Sequence, residues 1–203
     1  DSARQGLDTN AKSFMDACFA YLNDQNKKLE KEMKDVGAGS AANPPATSAP
    51  ASQPAVAVDA AAIASKVENR HEKITVINDT IDLGNWTQLA TWRAQAERDP
   101  KRIQETEKNF PAIDDKLAAV RKNTTQQADL QRLDTIQAAA KGYQTATDDF
   151  LKNWQNMQDV EKKSDETGQK VLDLARAIAA TGIEHSTRIA GDADASLASA
   201  SKM

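Results

Sequence analysis

The chain has 203 residues, enough for one large domain or two small modules with a real hydrophobic core. Aromatic residues make up only 4% of it, and abundant Ala, Asp, Gln, Lys and Thr favour long helices over sheets. The net charge is −4, from 26 basic and 30 acidic residues that are interspersed along the chain. This pattern offers no basic stripe for a phosphate backbone, so we expect no nucleic-acid partner.

Few residues could carry metal or redox chemistry. The single cysteine, Cys18, can form no internal disulfide, and its place on an apolar helix face predicts a buried thiol. The two histidines, His71 and His185, lack the i, i+4 spacing of a helical metal site. Glu68-x-x-His71 matches half of a di-iron motif, but no second copy accompanies it. We therefore expect no metal and no cofactor.

The signatures of common enzyme classes are missing as well. The chain has neither the G-x-S-x-G turn of serine hydrolases nor the glycine-rich loops that bind phosphates and dinucleotides. Adjacent acids such as Asp114-Asp115 and Asp148-Asp149 point in different directions on a helix and are typical of a solvated face. The sequence therefore predicts a protein that is not an enzyme.

The first predicted element is one long amphipathic helix over residues 1–36. Its apolar face follows steps of four and three through Leu7, Ala11, Phe14, Cys18 and Tyr21. Residues 37–57 then break the pattern with Ala, Ser and four prolines at positions 44, 45, 50 and 54. This composition predicts a linker or an extended loop.

The second predicted helix covers residues 58–98. Asp59 suits its N-cap, and apolar residues follow at heptad spacing, namely Ile63, Val67, Ile74, Ile77 and Ile81. Near Gly84 the pattern falters, and Trp86, Leu89 and Trp92 occupy a rotated face. This indicates a stutter, a kink or a short break. For the two tryptophans, packing in the core is favoured over a ligand cage.

Three further helices are predicted, over residues 100–122, 125–162 and 165–200. Asp99-Pro100 restarts the chain with a capping carboxylate and a proline at the first helical position, and Pro111 is expected to bend the helix that follows. The longest regular seam comes next and consists of Leu133, Ile136, Ala140, Tyr143, Thr147, Phe150, Trp154, Met157 and Glu161.

This series of helices predicts an all-α fold. A helix of about 35 residues spans on the order of 50 Å, more than a compact globule of this mass needs. Sustained heptad spacing favours shallow crossing angles. The sequence therefore predicts an elongated antiparallel helical bundle, either one four-helix bundle or two stacked helical modules.

Polar residues at seam positions are the candidate ligand contacts. Arg70 stands where its heptad expects an apolar side chain, so its guanidinium must pair with an acid, reach solvent or bind a carboxylate in a bidentate manner. Thr181, His185 and Arg188 form a second polar stretch, typical of a hydrated bundle end. The predicted ligand-binding residues are Arg70, His71, Asn78, Trp86, Arg93 and Tyr143.

The pattern resembles the periplasmic ligand-binding domains of bacterial methyl-accepting chemotaxis receptors, of the four-helix-bundle or helical-bimodular type. The likeness rests on Ile77 to Asp99-Pro100 and Ile103, Leu117 and Val120, Leu130 to Trp154 with Tyr143 inside it, and Val171 to Leu197. The Ala/Pro-rich segment 37–57 has no counterpart in that pattern. The resemblance covers most of the chain.

The resemblance implies a periplasmic sensor domain of an inner-membrane receptor. Such a domain would dimerise through its first helix and bind a small molecule, most simply an organic acid held by arginines, between its helices. Because Asp1 is not a natural start, membrane spans are expected to flank the sequence. The alternatives are the sensor domain of a histidine kinase, or a structural or adaptor bundle that binds a protein partner. A pore-forming protein is disfavoured, since no hydrophobic hairpin is long enough to enter a bilayer.

Overall fold

The computed structural model describes residues 2–41 and 55–202, with the side chains of residues 2–35 and 61–202. Its helices are α1 (Ser2–Ala41), α2 (Ala55–Glu97), α3 (Lys101–Gln104), α4 (Asn109–Lys122) and α5 (Gln127–Ala200). No strand occurs in these described ranges, and the predicted all-α fold is confirmed. Of the predicted linker, residues 42–54 lie outside the described residues, whereas its two ends belong to α1 and α2.

The chain divides into two units, residues 1–153 (unit 1) and residues 154–203 (unit 2). Unit 1 is a bundle in which α1, α2, the α3–α4 segment and the first part of α5 alternate in direction. Contacts between neighbours fix this arrangement: α4 pairs with α2 through Lys116 and Asp79, and α5 pairs with α1 through Asp129 and Lys28. The predicted antiparallel bundle is thus found in unit 1.

The core of unit 1 centres on an aromatic layer to which all four helices contribute. Tyr143 of α5 lies between Phe14 of α1 and Phe110 of α4, with ring centroids 6.0 and 5.5 Å apart, the second pair edge to face. The fourth helix contributes Gly84, because a Cβ at that position would lie only 2.5 Å from Phe14 Cε1. Cys18 lies in the same core and is fully buried, as its spacing predicts.

Helix α2 is continuous through Gly84, where the sequence suggested a stutter, a kink or a short break. Its buried face continues at steps of three and four through Ile77, Thr80, Gly84, Thr87, Thr91 and Ala94. Trp86 and Trp92 are 59% and 52% exposed, so the expectation that they pack in the core is wrong. Their size suggested a shifted seam, but threonines, each bonded to a backbone carbonyl, fill the regular one.

The turn at Asp99-Pro100 forms much as predicted. Arg98 adopts a left-handed conformation (φ 55°), and the amide of Asp99 donates to the carbonyl of Ala94, which closes α2. The Asp99 carboxylate accepts from the amide of Lys101 at 3.0 Å and caps the next turn. The single helix predicted over 100–122 is instead divided into α3 and α4, and Pro111 lies in the first turn of α4, where its missing N–H does no harm.

Helix α5 runs without interruption from Gln127 to Ala200, although a boundary was predicted between residues 162 and 165. The longest regular seam ends at Glu161, but none of the next three residues, Lys162, Lys163 and Ser164, is a proline or a glycine. A change of seam alters which face is apolar and need not interrupt the backbone hydrogen bonds.

Unit 2 consists of the last part of α5, and nearly all of its described side chains are exposed. Nine large apolar side chains are among them: Met157, Val160, Val171, Leu172, Leu174, Ile178, Ile183, Ile189 and Leu197. A helix in water owes most of its stability to packing of its apolar face. None of the described helices carries an apolar stretch of the length and hydropathy that a membrane crossing requires.

We predict that Gly84→Ala destabilises unit 1 by about 1 to 2 kcal/mol, because overpacking against Phe14 exceeds the gain in helix propensity. Gly6→Ala is the matched control, since a Cβ there meets nothing within 4 Å. It should stabilise by up to about 1 kcal/mol. Chemical denaturation of both variants measures the difference; an equally stable Gly84→Ala would contradict the close contact.

Candidate functional site

Arg70 lies in a group of interacting polar side chains at one end of unit 1, which we name the charge layer. Its members are Asp24, Gln25, Lys28, Glu32, Arg70, Lys73, Asp129 and Arg132. Arg70 donates from Nε and Nη2 to the two carboxylate oxygens of Glu32 at 2.8 and 2.7 Å, and from Nη1 to Gln25 Oε1 at 2.6 Å. The guanidinium that the sequence offers for a ligand is therefore engaged by the chain itself.

A second set of ion pairs in the charge layer joins α1 to α5. Lys28 Nζ lies 2.6 Å from an oxygen of Asp129 and 2.8 Å from an oxygen of Asp24. Arg132 lies 3.2 Å from Asp24 and 3.4 Å from Asp129. Because Asp129 is almost fully buried, this network compensates a carboxylate that would otherwise be costly to bury.

The hydrogen bonds and ion pairs of the charge layer shift the pKa of Glu32 and of Asp129. Hydrogen bonds from Arg70 lower the pKa of Glu32 despite the opposing effect of partial burial. Burial opposes the ionisation of Asp129, but the hydrogen bond and charge of Lys28, with the charge of Arg132, outweigh it and lower its pKa. Both carboxylates are therefore charged at neutral pH, and the layer is a set of ion pairs.

An open cleft of about 450 Å³ lies outside the charge layer, between α1, α2 and the start of α5. Lys28, Glu32 and Arg70 form its inner wall, and Lys31 and Lys66 lie on its rim. These two lysines make no ion pair with any described residue, Asp35 lines the same cleft, and the arginine is already paired with Glu32.

A second concavity, which we name the Trp86 groove, lies between α2 and the α3–α4 segment and has a volume of about 310 Å³. It is lined by Trp86, Ala90, Arg93, Arg102, Glu105, Thr106, Lys108 and Asn109. Trp86, Ala90 and Arg93 follow one another at steps of four and three, which places them on one face of α2. The groove therefore offers an indole surface beside several cations.

The cations of the Trp86 groove are not equally available. Arg102 pairs with Glu97 at 3.0 Å, outside the groove lining. Arg93 and Lys108 make no ion pair or side-chain hydrogen bond with the residues that the structure describes. At the base of the groove, Asn109 Nδ2 donates to Thr87 Oγ1 at 3.0 Å, which joins α4 to α2. Two free cations beside an aromatic face suit a small organic acid.

The structure brings some of the six predicted ligand residues together and separates others. Trp86 and Arg93 share the groove, whereas Arg70 belongs to the charge layer. His71 and Asn78 are exposed on α2 and line neither of the two clefts. Tyr143 is buried in the aromatic layer, where its hydroxyl donates to the carbonyl of Gly84 at 3.4 Å. The six residues therefore do not form one site.

Sequence reasoning missed several residues of the two sites. Gln25 and Lys73 could have been found, because each continues a three–four seam, Gln25 from Tyr21 and Lys73 from Arg70. Glu32 and Asp129 could also have been found, because Glu32 continues the seam from Gln25 through Lys28 and Asp129 precedes Leu133 by four residues. Lys108 lies in the turn between α3 and α4 and Asn109 begins α4, and the position of this segment beside α2 is a tertiary feature.

The described residues contain no group of His, Cys, Asp and Glu side chains that could hold a metal ion. Comparisons with protein-family models, with curated proteins and with solved structures found no match.

We predict that Arg70→Met destabilises unit 1 by about 2 to 3 kcal/mol, because Glu32 and the buried Gln25 lose their shared partner. The double variant Arg70→Met/Glu32→Met should recover part of this loss. Lys116→Met is the control, since its pair with Asp79 joins the same bundle at the surface and should contribute less than about 0.5 kcal/mol. Denaturant unfolding measures all three; equal losses for Arg70→Met and Lys116→Met would contradict the structural role of Arg70.

Proposed function

We propose that the chain is the ligand-binding sensor domain of an inner-membrane chemoreceptor, that it lies in the periplasm, and that it binds a small organic acid in the Trp86 groove. The observation that carries the proposal is the pairing of an exposed indole with two unpaired cations, Arg93 and Lys108, in a groove of about 310 Å³. Pockets for small molecules combine an apolar wall with a few polar groups in this way.

The carboxylate of the ligand is held by Arg93 and Lys108, and its carbon skeleton lies against the face of Trp86. Arginine binds carboxylates in a bidentate manner, and charge-assisted hydrogen bonds are stronger than neutral ones. Glu105 lies in the same lining, so it disfavours a second negative group on its side of the groove. The arrangement therefore favours one carboxylate attached to an apolar or aromatic body.

A continuous set of contacts leads from the groove to α5. Asn109 lines the groove and donates to Thr87, and the next residue, Phe110, packs edge to face against Tyr143 of α5. A ligand that binds one arrangement of α4 better than another shifts the population of that packing. Because α5 continues to Ala200, a change at Tyr143 reaches the helix that would lead towards a membrane span.

We predict that calorimetric titration with organic, amino and aromatic acids finds at least one ligand. Arg93→Ala should weaken its binding by about tenfold or more, because a charge-assisted contact is lost. Trp86→Leu should also weaken binding and should abolish any change in tryptophan fluorescence that the ligand causes at Trp86. Arg4→Ala is a matched control, as it removes an arginine from unit 1 outside the groove.

The same variants test whether a ligand in the Trp86 groove affects α5. Hydrogen exchange of α5 near Tyr143 should change on ligand addition in the unmodified chain and in Arg4→Ala. It should not change in Arg93→Ala or Trp86→Leu. If no acid in a broad panel binds or shifts thermal unfolding, the sensor proposal fails. If an acid binds and Arg93→Ala leaves its affinity unchanged, the sensor proposal stands, but the Trp86 groove is not the binding site.

The proposed receptor acts as a homodimer, and the exposed apolar side chains of unit 2 support association of two copies. We predict that sedimentation equilibrium shows reversible dimerisation and that Leu174→Lys with Ile178→Lys weakens it by at least tenfold, since both introduce charge on the apolar face. Arg176→Gln, on the polar side of the same helix, should leave it unchanged. A chain that remains monomeric at the highest attainable concentration would contradict this part of the proposal.

A second candidate function is a structural or adaptor bundle that binds a protein partner and no small molecule. Two observations favour it: Arg70 is already paired with Glu32, and Trp86, Leu89 and Trp92 form an exposed apolar row on α2. Tryptophan and arginine are enriched at the energetic centres of protein interfaces. A chain that binds no acid, but binds a protein in a manner that Trp92→Ala disrupts, would support this function.

A further inference from the structure

One acidic side chain lines the Trp86 groove together with its cations. Glu105 belongs to the α3–α4 segment and is exposed, and its side chain makes no ion pair or hydrogen bond with the residues that the structure describes. The neighbouring cation on the same segment, Arg102, is paired with Glu97. The pKa of Arg102 is raised first by the hydrogen bond with Glu97 and to a lesser extent by the charges of Glu97 and Glu105. The groove therefore contains an unpaired carboxylate as well as unpaired cations.

The two walls of the groove, α2 and the α3–α4 segment, run in opposite directions and are tied together at two points. Asn109 Nδ2 donates to Thr87 Oγ1 at 3.0 Å, and Arg102 pairs with Glu97 at 3.0 Å. These ties are ten residues apart on α2, from 87 to 97, and seven residues apart on the other wall, from 102 to 109. The level of any residue between the ties follows by interpolation.

Arg93 and Glu105 lie on opposite walls at nearly the same level. Arg93 is six of the ten residues from Thr87 towards the second tie, and Glu105 is four of the seven residues from Asn109 towards it. Both side chains line the groove, yet they make no ion pair with each other. A positive and a negative group are therefore available on the two sides of one open space.

Two neutral polar side chains in the lining are already engaged within the chain. Thr106 Oγ1 donates to the carbonyl of Ile103 at 2.7 Å, and the amide of Asn109 donates to Thr87. The remaining lining is the Trp86 indole, Ala90 and the charged groups. The charged groups and the indole therefore determine which small molecule fits best.

We propose that the ligand of the Trp86 groove is a zwitterion, namely an α-amino acid with an apolar or aromatic side chain; this inference rests on the proposed sensor function. The carboxylate of the amino acid binds Arg93 and Lys108. Its ammonium group binds Glu105, and its side chain lies against the indole of Trp86. Because both charges of an α-amino acid are attached to one carbon, a single small molecule can bridge the two walls of the groove.

Electrostatic complementarity favours a zwitterion over a ligand with one charge. A simple carboxylic acid leaves Glu105 without a partner and close to a second negative charge, which costs binding free energy. A simple amine has the same disadvantage beside Arg93 and Lys108. An ammonium group adds a charge-assisted hydrogen bond to Glu105, and the face of an indole also attracts a cation. A ligand with one charge of each sign therefore gains most from this lining.

The test compares matched ligands by calorimetric titration of the full chain. L-Leucine, L-phenylalanine and L-tryptophan are each compared with the acid in which hydrogen replaces the ammonium group, and with the amine that lacks the carboxylate. We expect at least one amino acid to bind about tenfold or more tightly than both of its analogues, because it alone compensates charges of both signs.

The variant Glu105→Gln should remove this preference. Its affinity for the amino acid should fall by about tenfold, whereas its affinity for the acid without an ammonium group should stay the same or rise, because a carboxamide does not repel a carboxylate. Arg93→Ala should weaken the binding of both. Glu107→Gln is the matched control, since it removes an exposed acid of the same segment that lies outside the groove lining.

The inference is wrong if no amino acid binds more tightly than its deaminated acid, or if Glu105→Gln and Glu107→Gln alter the preference equally. If only acids without an ammonium group bind, the zwitterion is excluded and the sensor proposal stands. If no acid of any kind binds, both the zwitterion and the sensor proposal fail.

Discussion

The close approach of Phe14 to Gly84 fixes how the helices of unit 1 meet. The Phe14 ring occupies the space that a Cβ on Gly84 would need, so α1 and α2 can pack at this distance only with glycine at that position. Tyr143 then fills the space between Phe14 and Phe110, and its hydroxyl donates to the carbonyl of Gly84. Contacts in this aromatic layer therefore fix how far along its axis each helix of unit 1 is placed against its neighbours.

The buried polar side chains on the two sides of the aromatic layer are hydrogen-bonded differently. Towards the end of α2, the buried seam consists largely of threonines, and Thr87 and Thr91 each donate to the carbonyl four residues earlier. Both hydroxyls donate within their own helix, and Thr87 Oγ1 also accepts from Asn109 of α4. Towards Arg70, the buried polar groups are satisfied between helices, by Glu32 and Gln25. The charge layer therefore specifies which helices pair, a known use of buried polar groups.

The sequence predicts well whatever depends on periodicity within one helix. The buried face of α1 through Phe14 and Cys18, and that of α5 through Leu133 and Tyr143, follow directly from steps of three and four. The bundle of unit 1 was predicted from the number of long helices and their sustained heptad spacing. Seam spacing does not say whether small polar residues or large apolar ones are buried, which is why Trp86 was assigned to the core.

The sites could be predicted only in part, for a related reason. A polar residue at a seam position marks a place where the core is interrupted, and Arg70 was identified in this way. The partner that satisfies it, Glu32, comes from another helix, and although Glu32 lies at seam spacing from Gln25, seam spacing does not say which residues of two helices meet. Of the Trp86 groove, the sequence analysis identified Trp86 and Arg93, which lie on one helix. It missed Lys108 and Asn109, because their position beside α2 depends on how the chain turns after α3.

The same packing limits how a ligand in the Trp86 groove could act. Sliding α2 by about one turn would bring Thr80 or Thr87, each with a Cβ, to the position of Gly84 beside the Phe14 ring, so such a shift of α2 against α1 is opposed by a steric contact. The α3–α4 segment is less constrained at its start, where a four-residue helix and a short turn precede Asn109. In the proposed sensor, the ligand therefore acts on the beginning of α4, and Phe110 passes the change to Tyr143. This route makes the edge-to-face contact of those two rings the step at which binding is converted into a change in α5.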